Sequence, residues 1–174
     1  MIAASMMLAV FNGRSTEAQD TAADEDEIRA AMLFNLTKFI DWPAWRLADS
    51  GSAFTVCLLG SDATTEAIDR LMRNKAVDGR SIIVRRLNRS QDGTVCHIVF
   101  FAHSARNRFE ELAPGLAKAS VVTVGDQEWF AGSGGIVGLP LVEGRIHIEI
   151  NLGAAQRSNL CISSKLLRLA TVVK

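Results

Sequence analysis

The sequence predicts an α/β domain: one mixed, largely parallel sheet with flanking helices, finished by a C-terminal antiparallel hairpin and a last helix. Three observations predict it. Short apolar or β-branched runs at residues 54–59, 81–87, 95–102 and 120–124 alternate with helix-length amphipathic stretches, the order of parallel strands joined by helical crossovers. Two further strand-like runs, 135–142 and 145–151, are separated only by Glu143 and Gly144, a spacing suited to a tight hairpin. The chain has 174 residues, enough for one domain with a proper core and too few to argue for two.

Taken in order, residues 2–11 are an apolar run followed by the small and polar stretch NGRSTEAQD, the pattern of an export signal. Ala18 is the candidate last residue of that signal and Thr16 its second small position, so residues 1–18 are assigned to a signal peptide and 22–174 to a single domain. The run is far shorter than the ~20 apolar residues that a spanning helix needs. No Lys or Arg precedes it, which leaves two other readings: the run is the end of a longer signal, or it is an N-terminal anchor that is not removed. The first cysteine, Cys57, lies too far along the chain for a lipoprotein signal.

Asp24 and Glu27 imitate a capping box, and Ile28, Ala31, Met32, Leu36, Phe39 and Ile40 supply the apolar face of a helix that Trp42 and Pro43 end. The strand at 54–59 closes at Gly60, after which Asp62 or Thr64 caps an amphipathic stretch over 67–73 and Gly79 breaks the pattern. Residues 81–87 alternate as a strand, 88–93 form a polar loop, and 95–102 are apolar enough for a central strand buried on both faces. Ser104 is the expected cap of a helix over 106–113 that Pro114 and Gly115 stop or kink. Pro140 favours an edge or a bulge within the hairpin. Ile146, Ile148 and Ile150 then alternate with His147, Glu149 and Asn151, and Asn151 reads as a turn or cap residue. Ser163 or Ser164 caps the last helix, whose apolar face is Leu166, Leu167, Leu169, Ala170 and Val173.

Composition narrows the function. Apolar residues make up 48% of the chain and 19 basic residues balance 19 acidic ones, so no general attraction to nucleic acid or to an acidic membrane surface is encoded. Any partner is recognised by shape. The glycine-rich loop at 132–135 is followed by a strand rather than a helix and lacks Lys-Ser or Lys-Thr, so it reads as a hairpin entry and not a phosphate cradle. His97, His103 and His147 share no CxxC or HxxxH spacing with each other or with the cysteines, and neither a metal nor a cofactor is expected. No GxSxG elbow is present, and no enzyme is expected; Asp126, Glu128 and His147 are the titratable residues that one would have to assemble. Trp42, Trp45 and Trp129 sit at helix ends or loops, where amphipathic aromatics serve as contact anchors for a partner. Core packing competes with that role, most strongly at Trp42, because the Pro43 turn must be pinned somewhere.

Export implies an oxidising compartment, in which Cys57, Cys96 and Cys161 are possible disulfide partners. Three is odd, so one thiol is left over or pairs between chains. Cys57 and Cys96 each lie in an apolar strand. If those strands are neighbours, a bridge would close a loop of about 40 residues, worth roughly 4 kcal/mol in the chain-entropy model. Neighbouring parallel strands strain many such bridges, however, and two buried thiols are the other reading.

Several segments carry a resemblance. The C-terminal run IN, about ten residues, then ISSKLLRLA; AAMLFNLTKFIDWP at 30–43; FTVCLLG at 54–60; CHIVFFA at 96–102; and VVTVGDQEWFAGSGGIV at 121–137 together resemble the YfiR family of periplasmic regulatory proteins. The resemblance implies a mixed α/β domain that dimerises and binds the periplasmic part of an inner-membrane diguanylate cyclase. It would repress that enzyme, lowering cyclic di-GMP and biofilm formation. The resemblance also implies a bridge between Cys57 and Cys96, redox control through it, and a free thiol at Cys161. Some members carry a second cysteine pair on the hairpin matching residues 136–150, which this sequence lacks. The alternative is a periplasmic small-ligand-binding domain serving a sensor or transporter, which needs a polar-rimmed pocket of several hundred Å³.

Overall fold

Residues 14–27 contain neither glycine nor proline, and the first helix, α1 (Arg14–Leu36), runs through them without a break. The computed structural model describes residues 14–48, 52–88 and 92–173, with side chains from residue 21 onward. The signal expected at 1–18 therefore lies for the most part outside the described residues. Asp24, expected as a cap, sits inside the helix. The buried stripe is Ala30, Leu33 and Leu36, whereas Ile28 is half exposed. Arg29 explains the shift of face: it is buried, and it donates from Nε to the Leu139 carbonyl at 3.2 Å and from Nη1 to Asp26 at 3.2 Å. Thr64 closes the group, accepting from Arg29 and donating to Asp26. A charge held by this many partners can occupy the inward face that apolar periodicity reserves for Ile or Leu.

The helix tightens into a 3-10 turn at Thr37–Phe39, where the Thr37 hydroxyl donates to the Phe34 carbonyl at 2.6 Å, and gives way to β1 (Ile40–Asp41) before Pro43. It therefore ends earlier than the Trp42–Pro43 stop. A second 3-10 turn, Ala44–Leu47, follows. β2 (Phe54–Leu59) leads to α2 (Ala63–Met72), opened by a capping box in which the Asp62 carboxylate accepts from Thr65 N and the Thr65 hydroxyl accepts from Asp62 N. β3 (Ala76–Val77) turns back into β4 (Arg80–Leu87) through Asp78 and Gly79, both with positive φ.

β5 (Ile98–Phe101) is followed by a 3-10 stretch, His103–Arg108, and α3 (Phe109–Lys118). Ser104 does not cap this helix; the chain enters through the 3-10 stretch, and the Ser104 hydroxyl instead accepts from Ser61 N at 3.4 Å. Pro114 does not stop α3 either. It faces solvent, and Glu110, whose carbonyl loses its amide donor, is exposed as well, so water can satisfy the broken turn.

β6 (Val122–Gly125), β7 (Val137–Gly138), β8 (Leu141–Val142), β9 (Arg145–Ile146) and β10 (Glu149–Asn151) complete the central chain. The expected hairpin is present. β8 and β9 meet at Glu143 and Gly144, both with positive φ, and β7 pairs with β10 in the same register after an interruption at Pro140. The end of the chain differs from expectation. Asn151 caps a short helix, α4 (Leu152–Arg157), accepting from Ala154 N at 2.8 Å, and β11 (Cys161–Ile162) pairs with β1. α5 (Ser164–Leu167) is a single turn capped by Ser163, and β12 (Thr171–Val173) is an edge strand. The β-branched run Thr171, Val172, Val173 finds the open edge of β10 and extends along it.

The main sheet among the described residues has eight strands in the order β12, β10, β7, β6, β5, β2, β4, β3. β4, β2, β5, β6 and β7 are all parallel, which gives the doubly wound arrangement with its switch point between β2 and β5. On one face Phe54, Val56, Leu58, Ile98 and Phe100 pack with α1 and α2. On the other, Cys57, Leu59, Val99 and Phe101 pack under Phe109, Leu112 and Leu116 of α3.

Candidate functional site

β5 begins at Ile98, not at residue 95, and the difference builds the site. Ile98 and Phe100 face the α1 side and Val99 and Phe101 the α3 side, so unbroken alternation would send Cys96 to the first and His97 to the second. The reverse is found. The chain bends at His97, placing Cys96 in the α3 core and stacking the His97 ring on Phe54, with centroids 4.6 Å apart. Cys96 thereby reaches Cys57 on the neighbouring strand, and the two are joined by a disulfide with a Cα–Cα distance of 6.0 Å and a sequence separation of 39. That distance lies in the usual range. Cys161 is an exposed free thiol.

His97 is held at both its backbone and its ring. Its N–H donates to the Thr55 carbonyl at 2.8 Å, and Nδ1 accepts from Thr55 N at 3.0 Å. Trp42 meets both Phe54 and His97 edge-on. Burial, and then the positive charges of Arg46 and Arg80, push the imidazole down to about 4. It is neutral at physiological pH.

Those two arginines fasten the Ala44–Leu47 turn to the amino-terminal ends of the central strands. Arg46 Nη2 donates to the Thr94 carbonyl at 3.0 Å and to the Cys96 carbonyl, and Arg80 donates to the Leu47 carbonyl at 2.7 Å. Burial lowers the Arg46 pKa. No periodic or motif signal marks either residue in the sequence.

The three tryptophans do not converge. Trp42 is 9% exposed and belongs to the core, so it is withdrawn as a contact anchor: packing against Phe54 and His97 is its role. Trp45 is 58% exposed, on the turn that Arg46 ties to Cys96. Trp129 is 76% exposed beyond the carboxyl end of β6, at the opposite end of the parallel strands, with a positive φ of 66° that bulky residues rarely adopt.

Asp126, Glu128 and His147 are not assembled into a reactive group. Burial and then the Asp62 charge raise the pKa of Asp126, against Arg29 and a hydrogen bond from Gln127; neither Glu128 nor His147 acts on it. Among the described residues no group of three or more His, Cys, Asp or Glu could hold a metal ion. The glycine loop serves packing. A Cβ at Gly125 or Gly135 would lie 2.5 or 2.2 Å from the Phe130 ring, so both glycines make room for it. Asn151 Nδ2 donates to the Ala131 carbonyl at 2.8 Å, tying the loop to the cap of α4.

A doubly wound α/β domain, with a buried disulfide between β2 and the segment leading into β5 and its glycine loop clamped around a phenylalanine, is the class of protein that these features define. The model of the YfiR/HmsC-like family matches residues 26–171, and the chain belongs to that family. The family is periplasmic, and regulatory rather than catalytic. No curated protein matches the chain significantly. A crystal structure of a conserved domain protein from Vibrio cholerae O1 biovar eltor is similar, with a TM-score of 0.55 and 12% identity over 84% of this chain and 60% of that one. At that identity the likeness shows the fold, and the chain spans only 60% of that protein's length.

Proposed function

We propose that the protein is an exported regulator that binds the periplasmic part of an inner-membrane diguanylate cyclase, acts as a homodimer, and holds the enzyme in an inactive conformer. Cyclic di-GMP and biofilm formation fall as a result. Family membership over residues 26–171 is the observation that carries this reading. Among the described residues no helix is long and apolar enough to cross a membrane.

The surface supports the reading at Trp45. An exposed indole supplies contact area at low entropic cost. Arg46, its neighbour, bonds the carbonyl of Cys96, one half of the Cys57–Cys96 bridge, so a shift of Cys96 on reduction would reach the contact turn through this guanidinium. A partner that binds this turn would feel reduction of the bridge.

Deleting the gene and measuring cyclic di-GMP tests the proposal. A rise that the wild-type chain reverses, and that Trp45→Ala fails to reverse while folding normally, is the expected result. Unchanged cyclic di-GMP on deletion overturns the reading. Trp129→Ala, at the far end of the sheet, distinguishes a contact made at one end from one made at both.

A further inference from the structure

Between α3, α4 and the glycine loop lies a half-open cavity of about 450 Å³. Its buried floor is mostly apolar, formed by Phe109, Val121, Ile136 and Ala154, together with Thr123 and Ser158, whose hydroxyls are engaged with the Ile136 N–H and the Ala154 carbonyl. One wall is low because α3 presents Ala113 and Ala117, a turn apart, where larger side chains would fill the space. The rim is charged: Arg157 and Glu110 are both exposed at its mouth.

Arg157 makes no ion pair or hydrogen bond through its side chain among the described residues. Its guanidinium lies over Gly153, where a Cβ would come within 3.2 Å of Nη1, on the ridge of α4 between this cavity and a second one lined by Gly132, Gly153 and Val172. A planar fork of donors without a partner in the protein suits a carboxylate, which it can grip through two parallel hydrogen bonds. Glu110 disfavours a second negative charge at the same mouth. The apolar floor suits a hydrocarbon body.

We propose that this cavity binds a small organic monocarboxylate, its carboxylate on Arg157 and its flat or branched apolar body on Val121, Ile136 and Ala154. The volume falls within the range of small-molecule sites, and an apolar floor with one convergent polar anchor is their usual composition. The site does not involve the Trp45 turn or the disulfide, and its test does not depend on the cyclase reading.

The probe is 3-phenylpropionate, added to the purified, oxidised chain and followed by NMR, with 3-phenylpropionamide and succinate as controls. Binding of the acid is expected to shift the methyl signals of Val121, Ile136 and Ala154, with the amide and succinate each about tenfold weaker. Arg157→Gln should weaken the acid about tenfold and leave the amide unchanged. Ala117→Phe should abolish binding of both; if that variant does not fold, Ala113→Leu replaces it. No shift at about 10 mM acid, shifts confined to other residues, or equal binding of acid and amide would overturn the assignment. So would an Arg157→Gln protein that binds as the wild type does.

Discussion

Nδ1 of His97 accepts the main-chain N–H of Thr55 at 3.0 Å, so a side chain closes the ladder where β5 has not yet begun. The bond requires a neutral ring. Because the folded-state pKa is lowered to about 4 from an ordinary 6.5, the unfolded chain binds more protons between those values. The stability from this site is therefore fully present above about pH 6.5 and is lost as the pH falls towards 4, by about 2–3 kcal/mol at most. Urea midpoints from pH 7.5 down to 4 should show the decline, and His97→Phe should flatten it while costing about 1–3 kcal/mol at neutral pH through the unpaired Thr55 amide. An equally steep decline in the variant would assign the effect elsewhere.

Reducing the Cys57–Cys96 bridge should lower stability by about 4 kcal/mol, the chain-entropy value for a loop of this size. Thiol labelling checks the premise. Protein unfolded without reductant should take one label, at Cys161, and protein unfolded in reductant should take three. Three labels without reductant would show the bridge to be absent.

Arg46→Ala should cost about 1–3 kcal/mol, because two main-chain carbonyls lose a charged donor. Arg46→Lys should recover only part, since a single ammonium reproduces the two-carbonyl grip poorly. Iodide quenching of tryptophan fluorescence should rise in Arg46→Ala as the Ala44–Leu47 turn loosens. Quenching identical to wild type would mean that Arg80 alone holds the turn.

Gly135→Ala should be among the most damaging single substitutions, costing more than about 2 kcal/mol, because the added methyl meets the Phe130 ring at 2.2 Å. Gly144→Ala is the contrast. Nothing lies within 4 Å of a Cβ there, so only its φ of 73° is penalised, at about 1 kcal/mol. Thermal unfolding of the two variants side by side would refute the packing account if their order were reversed.

Much of the central sheet was legible in the sequence because its strands are punctuated. Gly60 and the Asp62 box bracket β2 and α2, and the Asp78–Gly79 and Glu143–Gly144 turns announce the strands beside them. What escaped was settled by tertiary contacts. The face of α1 depends on a buried Arg29, invisible to apolar periodicity, and Pro114 is tolerated because its broken turn faces water. Residues 166–173 fit a helix or a strand, and the free edge of β10 decides for a strand at their end. In the site, spacing alone left the pairing of Cys57 and Cys96 open, since the reversal of faces at His97 arises from its stacking on Phe54. The fastening by Arg46 and Arg80 had no sequence signature.

The disulfide also governs how tension would run through this chain. α2, β3 and β4 lie wholly inside the covalent ring, so a pull on the two ends passes from Cys57 to Cys96 through sulfur and leaves those elements unloaded. At ~3.4 Å per residue, the ring withholds about 130 Å of contour length. Tethered at both ends, the chain would be a short leash when oxidised and a long one when reduced.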